Sequence, residues 1–311
     1  MHTLINTTLR CFLWSLILLP VITHAETLRV NCDSDKGLSR ISKAINLLQK
    51  SGSEGPNTIL VSGNCRENVV IQGMDNLTLT AQNGASISDR SQGNADVLDI
   101  VDSRRVSLNG FTINGGANGV VCAGASLCRF SGNTVEGSLN YGVIVANSEA
   151  TLSGDTLQDH ADRGLSIING GQADADAITV QRNGDGIFLN TRGTLVLSNS
   201  TVQGNQNRGI VATTSSTIRL LASVVTANAG DGVRLQQSSQ ARFDNFAGTN
   251  SITNNGGPGV DLFDLSFAYF DINGVVTGNG GGTDVVCNPQ FSATRGALTN
   301  LGGGSTNCVE P

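Results

Sequence analysis

Hydrophobic and variable positions alternate after a glycine in a four-residue pattern that repeats along the middle of the chain. Each copy consists of glycine, an apolar residue, a variable residue and a small or apolar residue. The seven copies occupy residues 119–122, 142–145, 164–167, 186–189, 209–212, 232–235 and 259–262, and their glycines are 23, 22, 22, 23, 23 and 27 residues apart. A fixed period of this length is typical of a solenoid, in which each repeat buries its apolar face only against its neighbours.

A second apolar position precedes the glycine, by seven residues in most repeats and by six in the first and fourth. Its occupants are Ile113, Val135, Leu157, Val180, Val202, Val225 and Ile252. Strands of three or four residues that return every 22 or 23 residues cannot pair as hairpins. The pattern therefore predicts an all-β parallel β-helix with stacked strands about 4.8 Å apart. An up-and-down barrel or a sandwich would instead space its strands by roughly 8–12 residues.

The alternation also assigns the faces of the strands. Residues one and three places after each glycine are expected to point inward, and the residue between them outward. The outward column is Val121, Ile144, Ser166, Phe188, Val211, Arg234 and Asp261. Four residues before the glycine, Asn205, Asn228 and Asn255 recur in register, which predicts an asparagine ladder between turns. The glycines are expected to hold turn conformations that disfavour a Cβ.

The two ends of the repeat array depart from the pattern. Residues 26–66 are predicted to form an N-terminal cap with a first strand and an amphipathic capping helix opened by Ser39. Residues 67–270 are the predicted right-handed parallel β-helix of roughly nine or ten coils, and 271–311 are a C-terminal cap or tail. The apolar stripe of the helix consists of Ile41, Ala44, Ile45 and Leu48. The aromatic residues expected to plug the last coil are Phe263, Phe267, Tyr269 and Phe270.

Residues 1–25 are predicted to be a secretory signal peptide. Arg10 precedes an apolar run at 11–19, and the segment ends on Thr23-His24-Ala25. The run is too short to span a bilayer, and no later stretch is long and apolar enough to do so. We therefore expect a secreted or periplasmic protein with no transmembrane span.

Charge argues against a nucleic-acid partner. The chain has 19 basic and 25 acidic residues, for a formal net charge of −6. Cleavage of the signal peptide would remove Arg10 and make the balance one unit more negative. Nucleic-acid binding usually requires a basic surface, so this class of partner is excluded from the prediction.

Six cysteines follow the predicted signal peptide. They form three pairs that are local in sequence: Cys32 with Cys65, Cys122 with Cys128, and Cys287 with Cys308. An even number in an exported protein favours disulfides, although six cysteines permit fifteen connectivities. A zinc site is disfavoured because only His160 remains beyond residue 25 and no Cys-x-x-Cys tract occurs. The last pair would close the C-terminal cap.

The chain resembles the secreted right-handed parallel β-helix proteins of the pectin-lyase-like superfamily. The resemblance covers nearly all of residues 27–285 and rests on the helical start, the glycine-apolar coils and the asparagine turns. It implies the fold, and a range of activities that includes polysaccharide lyases, hydrolases, esterases and epimerases as well as adhesins. The chain lacks the Asn-Thr-Asp and Gly-His-Gly tracts of polygalacturonases. The characteristic tracts of pectin methylesterases and pectate lyases are also missing, so the resemblance leaves catalysis open.

Residues 159–163 carry the most suggestive group of catalytic side chains, Asp159, His160, Asp162 and Arg163. Chemistry on a uronic-acid polymer needs a base for the C5 proton and a cation for the carboxylate. His160 could supply the base and Arg163 the cation, with the two aspartates beside them. Alginate epimerases of this fold carry an Asp-Pro-His-Asp tract, which residues 159–162 resemble without the proline.

The same residues also have a structural interpretation. His160 occupies the column of the predicted asparagine ladder. The residues that immediately precede successive glycines alternate in charge, as in a salt-bridge ladder, and are Arg163, Asp185, Arg208 and Asp231. Catalytic and structural roles therefore remain alternatives here.

The coil that follows supplies a candidate metal site at Asp174 and Asp176. Ca²⁺ binds oxygen ligands and often assists reactions of uronic acids, but the loop lacks a recognisable ligand spacing. No cofactor is required by the sequence, and Ca²⁺ is the one considered.

Four members of the outward column are candidates for substrate binding: Ile144, Phe188, Val211 and Arg234. An apolar stripe on a solvent face could bind a sugar or a partner. A loop folded back over the coil would explain the same stripe.

The sequence therefore predicts an exported β-helix that engages extracellular or cell-envelope polysaccharide, with or without catalysis. A surface adhesin or structural interaction protein is the first alternative, with a polysaccharide or cell-surface partner in either case. A polysaccharide lyase or epimerase acting on uronic-acid polymers is the third interpretation. The oligomeric state is not indicated by the sequence.

Overall fold

The computed structural model describes residues 25–52, 55–244, 248–271, 274–288, 293–296 and 301–308. Apart from Ala25, the predicted signal peptide lies outside these residues. The strands are β1 Thr27–Asn31, β2 Asn57–Arg66, β3 Val69–Gln72, β4 Leu77–Ser88, β5 Leu98–Val101, β6 Val106–Asn109, β7 Thr112–Asn114, β8 Asn118–Ala123, β9 Leu127–Ser131, β10 Thr134–Glu136, β11 Tyr141–Ala146, β12 Glu149–Ser153, β13 Thr156–Gln158, β14 Arg163–Ile168, β15 Gln172–Asp176, β16 Thr179–Gln181, β17 Asp185–Leu189, β18 Thr194–Ser198, β19 Thr201–Gln203, β20 Ile210–Ala212, β21 Thr217–Leu221, β22 Val224–Thr226, β23 Val233–Leu235, β24 Gln240–Asp244, β25 Ser251–Thr253, β26 Val260–Leu262, β27 Phe267–Phe270, β28 Val275–Thr277, β29 Val285–Cys287 and β30 Ala293–Gly296. The helix of this part of the chain is α1, Ile41–Ser51, and no helix among these residues is long and apolar enough to cross a membrane.

The strands pair in parallel with those of the next coil, so the chain winds into the predicted β-helix. Sheet 1 has ten strands in the order β3, β5, β8, β11, β14, β17, β20, β23, β26 and β29. The other twenty form one sheet with two columns, here called sheets 2 and 3. Sheet 2 contains β1, β6, β9, β12, β15, β18, β21, β24, β27 and β30, and sheet 3 contains β7, β10, β13, β16, β19, β22, β25 and β28. The long strands β2 and β4 run through both sheets. The register follows the sequence repeat, with Leu165 opposite Ile187 and Ile187 opposite Ile210.

The inward positions form one continuous apolar core along the axis. Leu165, Ile187 and Ile210 are fully buried, as the alternation predicts. The repeat glycines, however, do not have the predicted turn conformations. Gly186 lies within β17, and a Cβ there would come 2.4 Å from the carbonyl oxygen of Gly209 in the next coil. Glycine is needed because two coils approach closely, and not because the backbone turns.

The capping helix α1 covers the first coil through the predicted stripe, since Ile41, Ala44, Ile45 and Leu48 are buried. The prediction that Ser39 opens the helix is wrong. The helix begins at Ile41, whose N–H donates to Glu67 Oε1 at 2.6 Å, and the N–H of Ser42 donates to Oε2 at 3.2 Å. A carboxylate from the first coil therefore satisfies the helix N-terminus, where a negative charge is favourable.

Three disulfides form as the local pairing predicts. Cys32 is joined to Cys65, Cys122 to Cys128 and Cys287 to Cys308. The first clamps the cap to the first coil, and the last ties residue 308 to β29. Cys122 and Cys128 are both buried, so the middle bridge also fills the interior of its coil.

The aromatic plug at the C-terminal end is smaller than predicted. Phe270 is buried, and its ring stacks on Phe243 with centroids 4.8 Å apart. Phe263, Phe267 and Tyr269 are only half-buried. Phe267 and Tyr269 alternate with buried Ala268 and Phe270 on β27, so the strand alternation places their rings on the outer surface.

Candidate functional site

The candidate site lies on the outer face of sheet 1. Positions that precede or follow the repeat glycines stack across consecutive coils there, as in Arg163 opposite Asp185 and Arg234 opposite Asp261. We call the set of charged side chains on this face the charged row. Its members are Arg163, Asp185, Arg208, Asp231, Arg234 and Asp261.

The C-terminal part of the charged row is internally paired. Arg208 donates to both oxygens of Asp185, with Nε–Oδ1 at 3.1 Å and Nη2–Oδ2 at 3.0 Å. Arg234 Nη2 donates to Asp261 Oδ2 at 3.1 Å, and its Nε lies 2.8 Å from Asp231 Oδ2. That second contact is short but does not have hydrogen-bond geometry, so it is an ion pair only.

Burial of the acidic members changes their titration. Burial raises the pKa of Asp231 and of Asp261, while the charge of Arg234 acts in the opposite direction on both. Phe263 adds a further contact, because the Arg234 guanidinium carbon lies 4.8 Å from the centre of its ring. Arg208 and Arg234 are therefore already bound by neighbouring side chains.

Arg163 differs from the other two arginines of the row. Its guanidinium carbon lies 3.5 Å from the ring centre of Phe188 and 5.1 Å from that of Tyr141. Its nearest carboxylate is Asp162, with Nε–Oδ1 at 3.6 Å. Nε is buried without a hydrogen bond to the described residues, and 22% of the side chain is exposed. Arg163 is thus held by aromatic stacking while its hydrogen-bonding capacity is unused.

His160 is directed into the coil and away from Arg163. It is 1% exposed. Nδ1 accepts a hydrogen bond from the N–H of Ser138 at 3.1 Å, so the ring proton is on Nε2, which donates to the Val135 carbonyl at 3.0 Å. Burial lowers the pKa of His160 to about 4, although the Val135 carbonyl and the charge of Asp159 act in the opposite direction. Both ring nitrogens are used, and neither can take a proton from a surface ligand.

Asp159 and Asp162, the two aspartates of this coil, contact different arginines. Asp159 is bound at both oxygens by Arg182 at 2.8 Å, and this hydrogen bonding lowers its pKa. Asp162 lies beside Arg163. Of the four predicted catalytic residues, the structure therefore brings together Asp162 and Arg163, and it separates Asp159 and His160 from them.

The predicted metal ligands lie on another face. Asp174 and Asp176 are exposed on β15 in sheet 2, and Asp176 accepts hydrogen bonds from Ser198 and Asn199. In the described part of the chain, the one cluster of three histidine, cysteine or acidic side chains is Cys32, Cys65 and Glu67. Its two sulfurs are joined in a disulfide. Asp174 and Asp176 thus have no third such ligand among the described residues, and their Ca²⁺ role stays a prediction.

The predicted substrate-binding stripe is covered by side chains. Ile144 and Phe188 are half-buried, and Phe188 lies under the Arg163 guanidinium. Val211 is fully buried. Arg234 is held between two aspartates. The outer face of sheet 1 is therefore a charged and aromatic surface, and not an open apolar stripe.

Three residues of this face were missed by the sequence reasoning. Tyr141 contacts Arg163, and its position directly before Gly142 could have revealed it. Phe263 was assigned to the plug. Asp99 lies opposite Val121 in the outward column, and burial raises its pKa to about 6, with nearby Asp96 adding to the shift. Its place in the alternation at 97–100 was the available signal.

Comparison with solved structures shows the same architecture. Pectate lyase Pel9A superposes with a TM-score of 0.60 at 13% identity, covering 92% of this chain and 83% of its own. The A-module of the Azotobacter vinelandii mannuronan C-5 epimerase AlgE6 gives a TM-score of 0.57 at 12% identity, covering 91% and 96%. The enzymatically active domain of tailspike protein 2 of bacteriophage CBA120 gives 0.54 at 12%, covering 90% and 45%. At these identities the likeness concerns the fold alone.

The sequence itself identifies the family. No curated protein shows significant sequence similarity to the chain. The family model described as the right handed beta helix region matches residues 118–288, which is more than half of the 311 residues. That segment contains most of the stacked strands of all three sheets. The chain therefore belongs to the right-handed β-helix family.

Proposed function

We propose that this protein is an exported β-helix that binds an acidic polysaccharide on the outer face of sheet 1, without turning it over. The observation that carries the proposal is the state of Arg163. This guanidinium is stacked between aromatic rings, reaches the surface, and makes no hydrogen bond to the described residues.

An arginine in this state favours a carboxylate ligand. Guanidinium groups form paired hydrogen bonds with carboxylates, and stacking on a ring holds the donor plane in a fixed direction. Because Nε is fully buried, a ligand carboxylate would bind the terminal nitrogens of Arg163, which make no hydrogen bond to the described residues. A uronic acid offers such a carboxylate on a sugar ring, beside the rings of Tyr141 and Phe188.

The structural neighbours support the choice of ligand class. One is named for pectate and another for mannuronan, and both share this fold over more than nine-tenths of the chain. The closed hydrogen bonds of His160 argue against the predicted base, so binding is favoured over lyase or epimerase chemistry. An adhesin that binds a protein partner is the competing function.

The test is binding of the secreted protein to polygalacturonate, polymannuronate and neutral dextran, with and without a calcium chelator. We expect binding to the two acidic polymers, insensitive to the chelator, and no release of unsaturated or epimerised sugars. Arg163→Gln should weaken binding at least tenfold. Arg129→Gln removes the same charge from an exposed position on sheet 2 and should have no effect.

Two results would contradict the proposal. One is the absence of binding to either acidic polymer. The other is equal binding by the parent and Arg163→Gln. Loss of binding on chelation, shared by Asp174→Asn, would instead assign the interaction to the predicted Ca²⁺ ligands.

A further inference from the structure

A separate pocket opens on the outer face of sheet 2 near the C-terminal end of the stack. Its volume is about 370 Å³. The lining residues are Thr217, Ile218, Gln240, Ala241, Arg242, Phe267 and Tyr269. None of them belongs to the charged row, so any ligand here would be bound independently of Arg163.

Strand register builds this pocket from two outward columns. Thr217, Gln240 and Phe267 are opposite one another on β21, β24 and β27. Arg242 is opposite Tyr269 in the second column. Two aromatic rings, both on β27, therefore form one wall, and an amide, a hydroxyl and a guanidinium lie on the adjacent coils.

A buried carboxylate fixes the guanidinium of Arg242. Asp244 has no exposed surface and binds both Arg219 and Arg242 through their Nε atoms. The Arg242 guanidinium carbon lies 5.1 Å from the ring centre of Tyr269. Its terminal nitrogens make no hydrogen bond to the described residues, and 56% of the side chain is exposed. The two terminal NH2 groups are thus presented in a fixed direction beside an aromatic ring.

The local charge does not select an anion. Asp244 and Asp271 both interact with the charge of Arg242. Among the described side chains, Arg219, Arg242, Asp244 and Asp271 therefore provide two positive and two negative charges. A neutral ligand is therefore favoured, in contrast to the carboxylate expected at Arg163.

We propose that this pocket binds one neutral pyranose unit that has adjacent hydroxyl groups. A pyranose has an apolar face of C–H groups, which packs on an aromatic ring, and hydroxyls that accept and donate hydrogen bonds. The two free donors of Arg242 match a pair of neighbouring hydroxyl oxygens, and Gln240 offers both a donor and an acceptor. The volume is at the lower end of small-molecule sites, about 300–1,000 Å³, which suits one sugar ring.

The chain allows the two sites to be observed separately. It has two tyrosines, Tyr141 beside Arg163 and Tyr269 in the pocket, and one tryptophan, Trp14. Cleavage of the predicted signal peptide removes Trp14, so in the secreted protein Tyr141→Phe leaves Tyr269 as the only strong emitter. The probes are maltotriose, mannotriose and galactotriose as neutral ligands, with trigalacturonate as the acidic one.

We expect at least one neutral trisaccharide to change the emission of Tyr269 in a saturable manner. Gln240→Ala and Arg242→Gln should each raise the dissociation constant at least tenfold. Gln172→Ala is the matched control, since Gln172 is exposed in the same column of sheet 2 three strands away, and it should leave binding unchanged. Thermal unfolding of each variant verifies that it is folded.

The proposal fails if no neutral trisaccharide affects Tyr269, if only trigalacturonate does, or if Gln172→Ala is as damaging as Gln240→Ala. Arg163→Gln should not alter the response of Tyr269. A protein that binds acidic polymers but no neutral sugar would keep the proposed function and lose this pocket. The reverse result would keep the pocket and lose the proposed function.

Discussion

The asparagine ladder and the charged row cross the same coils. They differ in whether every member forms hydrogen bonds with its neighbours in the column. In the asparagine ladder, the N–H and Nδ2 of Asn183 both donate to Asn205 Oδ1, at 3.0 and 3.1 Å, and Asn205 donates in the same way to Asn228. In the charged row, Arg208 is fully paired while Arg163 is not. A repeated polar residue thus has a structural role where its hydrogen bonds are made to neighbouring coils. A member left open is the better candidate for binding.

His160 belongs to the closed column although its residue type suggests chemistry. Its Nδ1 accepts from the preceding coil, as an asparagine Oδ1 does, and its Nε2 donates to the Val135 carbonyl. Asn183 Nδ2 makes the equivalent contact to the Leu157 carbonyl. The imidazole thus reproduces the donor and acceptor of the amide, which explains how a histidine can replace an asparagine here.

The largest expected effect comes from placing a charge on the inner or the outer side of β17. Ile187→Asp should lower the free energy of unfolding by about 3–5 kcal/mol, because it buries an unpaired carboxylate in the core. Phe188→Asp should cost about 1 kcal/mol or less, because the new carboxylate faces outward beside Arg163. Denaturant unfolding of both variants measures the difference. Equal losses would overturn the assignment of inner and outer faces.

The pH dependence of His160→Asn tests whether the histidine is a ladder member. The pKa of His160 is about 4 in the folded protein and 6.5 in the unfolded chain. The folded state binds fewer protons between these values, so the histidine's stabilisation is complete above pH 6.5 and is lost as the pH falls towards 4. The parent should lose about 3 kcal/mol more than His160→Asn over this range.

Unfolding free energies of both proteins from neutral pH to pH 4 provide the measurement for this histidine. Other titrating groups are common to parent and variant and cancel in the difference. Parallel pH profiles would mean that the histidine is not held neutral inside the coil.

Removing an amide side chain from the interior of a coil is expected to lower the free energy of unfolding more than removing one from its outer face. Asn205→Ala removes the acceptor for two buried donors of Asn183 and should cost about 2 kcal/mol. Gln203→Ala, on the same coil, breaks one half-buried side-chain hydrogen bond to Gln181 and should change stability by about 0.5 kcal/mol or less. Thermal and denaturant unfolding compare the two. A larger loss for the Gln203 variant would contradict the importance given to the inner column.

The parts of this structure that sequence could predict are those that repeat. The spacing of the repeat glycines predicts how the coils stack. The asparagines that recur four residues before these glycines predict the ladder. The direction of individual long side chains could not be predicted. Asp185 is one coil away from both Arg163 and Arg208, and only the structure shows that it pairs with Arg208. Val211 likewise lies in the outward column but is fully buried.

The repeat glycines show the same limit of prediction from sequence. Their positions were evident, but the cause was not, because a close approach between coils depends on backbone atoms that are 22 or 23 residues apart. The sequence displays neither these distances nor the Glu67 contact that starts α1. Contacts that occur once, between distant residues, leave no periodic signal.

The asparagine ladder also has a fixed order of acceptors along the stack. The Oδ1 of each asparagine accepts from the preceding coil, while its Nδ2 donates both to the Oδ1 of the next ladder residue and to a backbone carbonyl of the preceding coil. The series ends at Asp284, whose Oδ1 accepts the N–H and Nδ2 of Asn279 at 2.9 and 3.1 Å. Burial alone would raise the pKa of Asp284, but hydrogen bonds from Ser305 and Asn279 keep it below its ordinary value. A coil inserted mid-stack would therefore need a side chain that both accepts and donates in this column, as asparagine and His160 do, whereas the final position needs only an acceptor, which Asp284 supplies as a carboxylate.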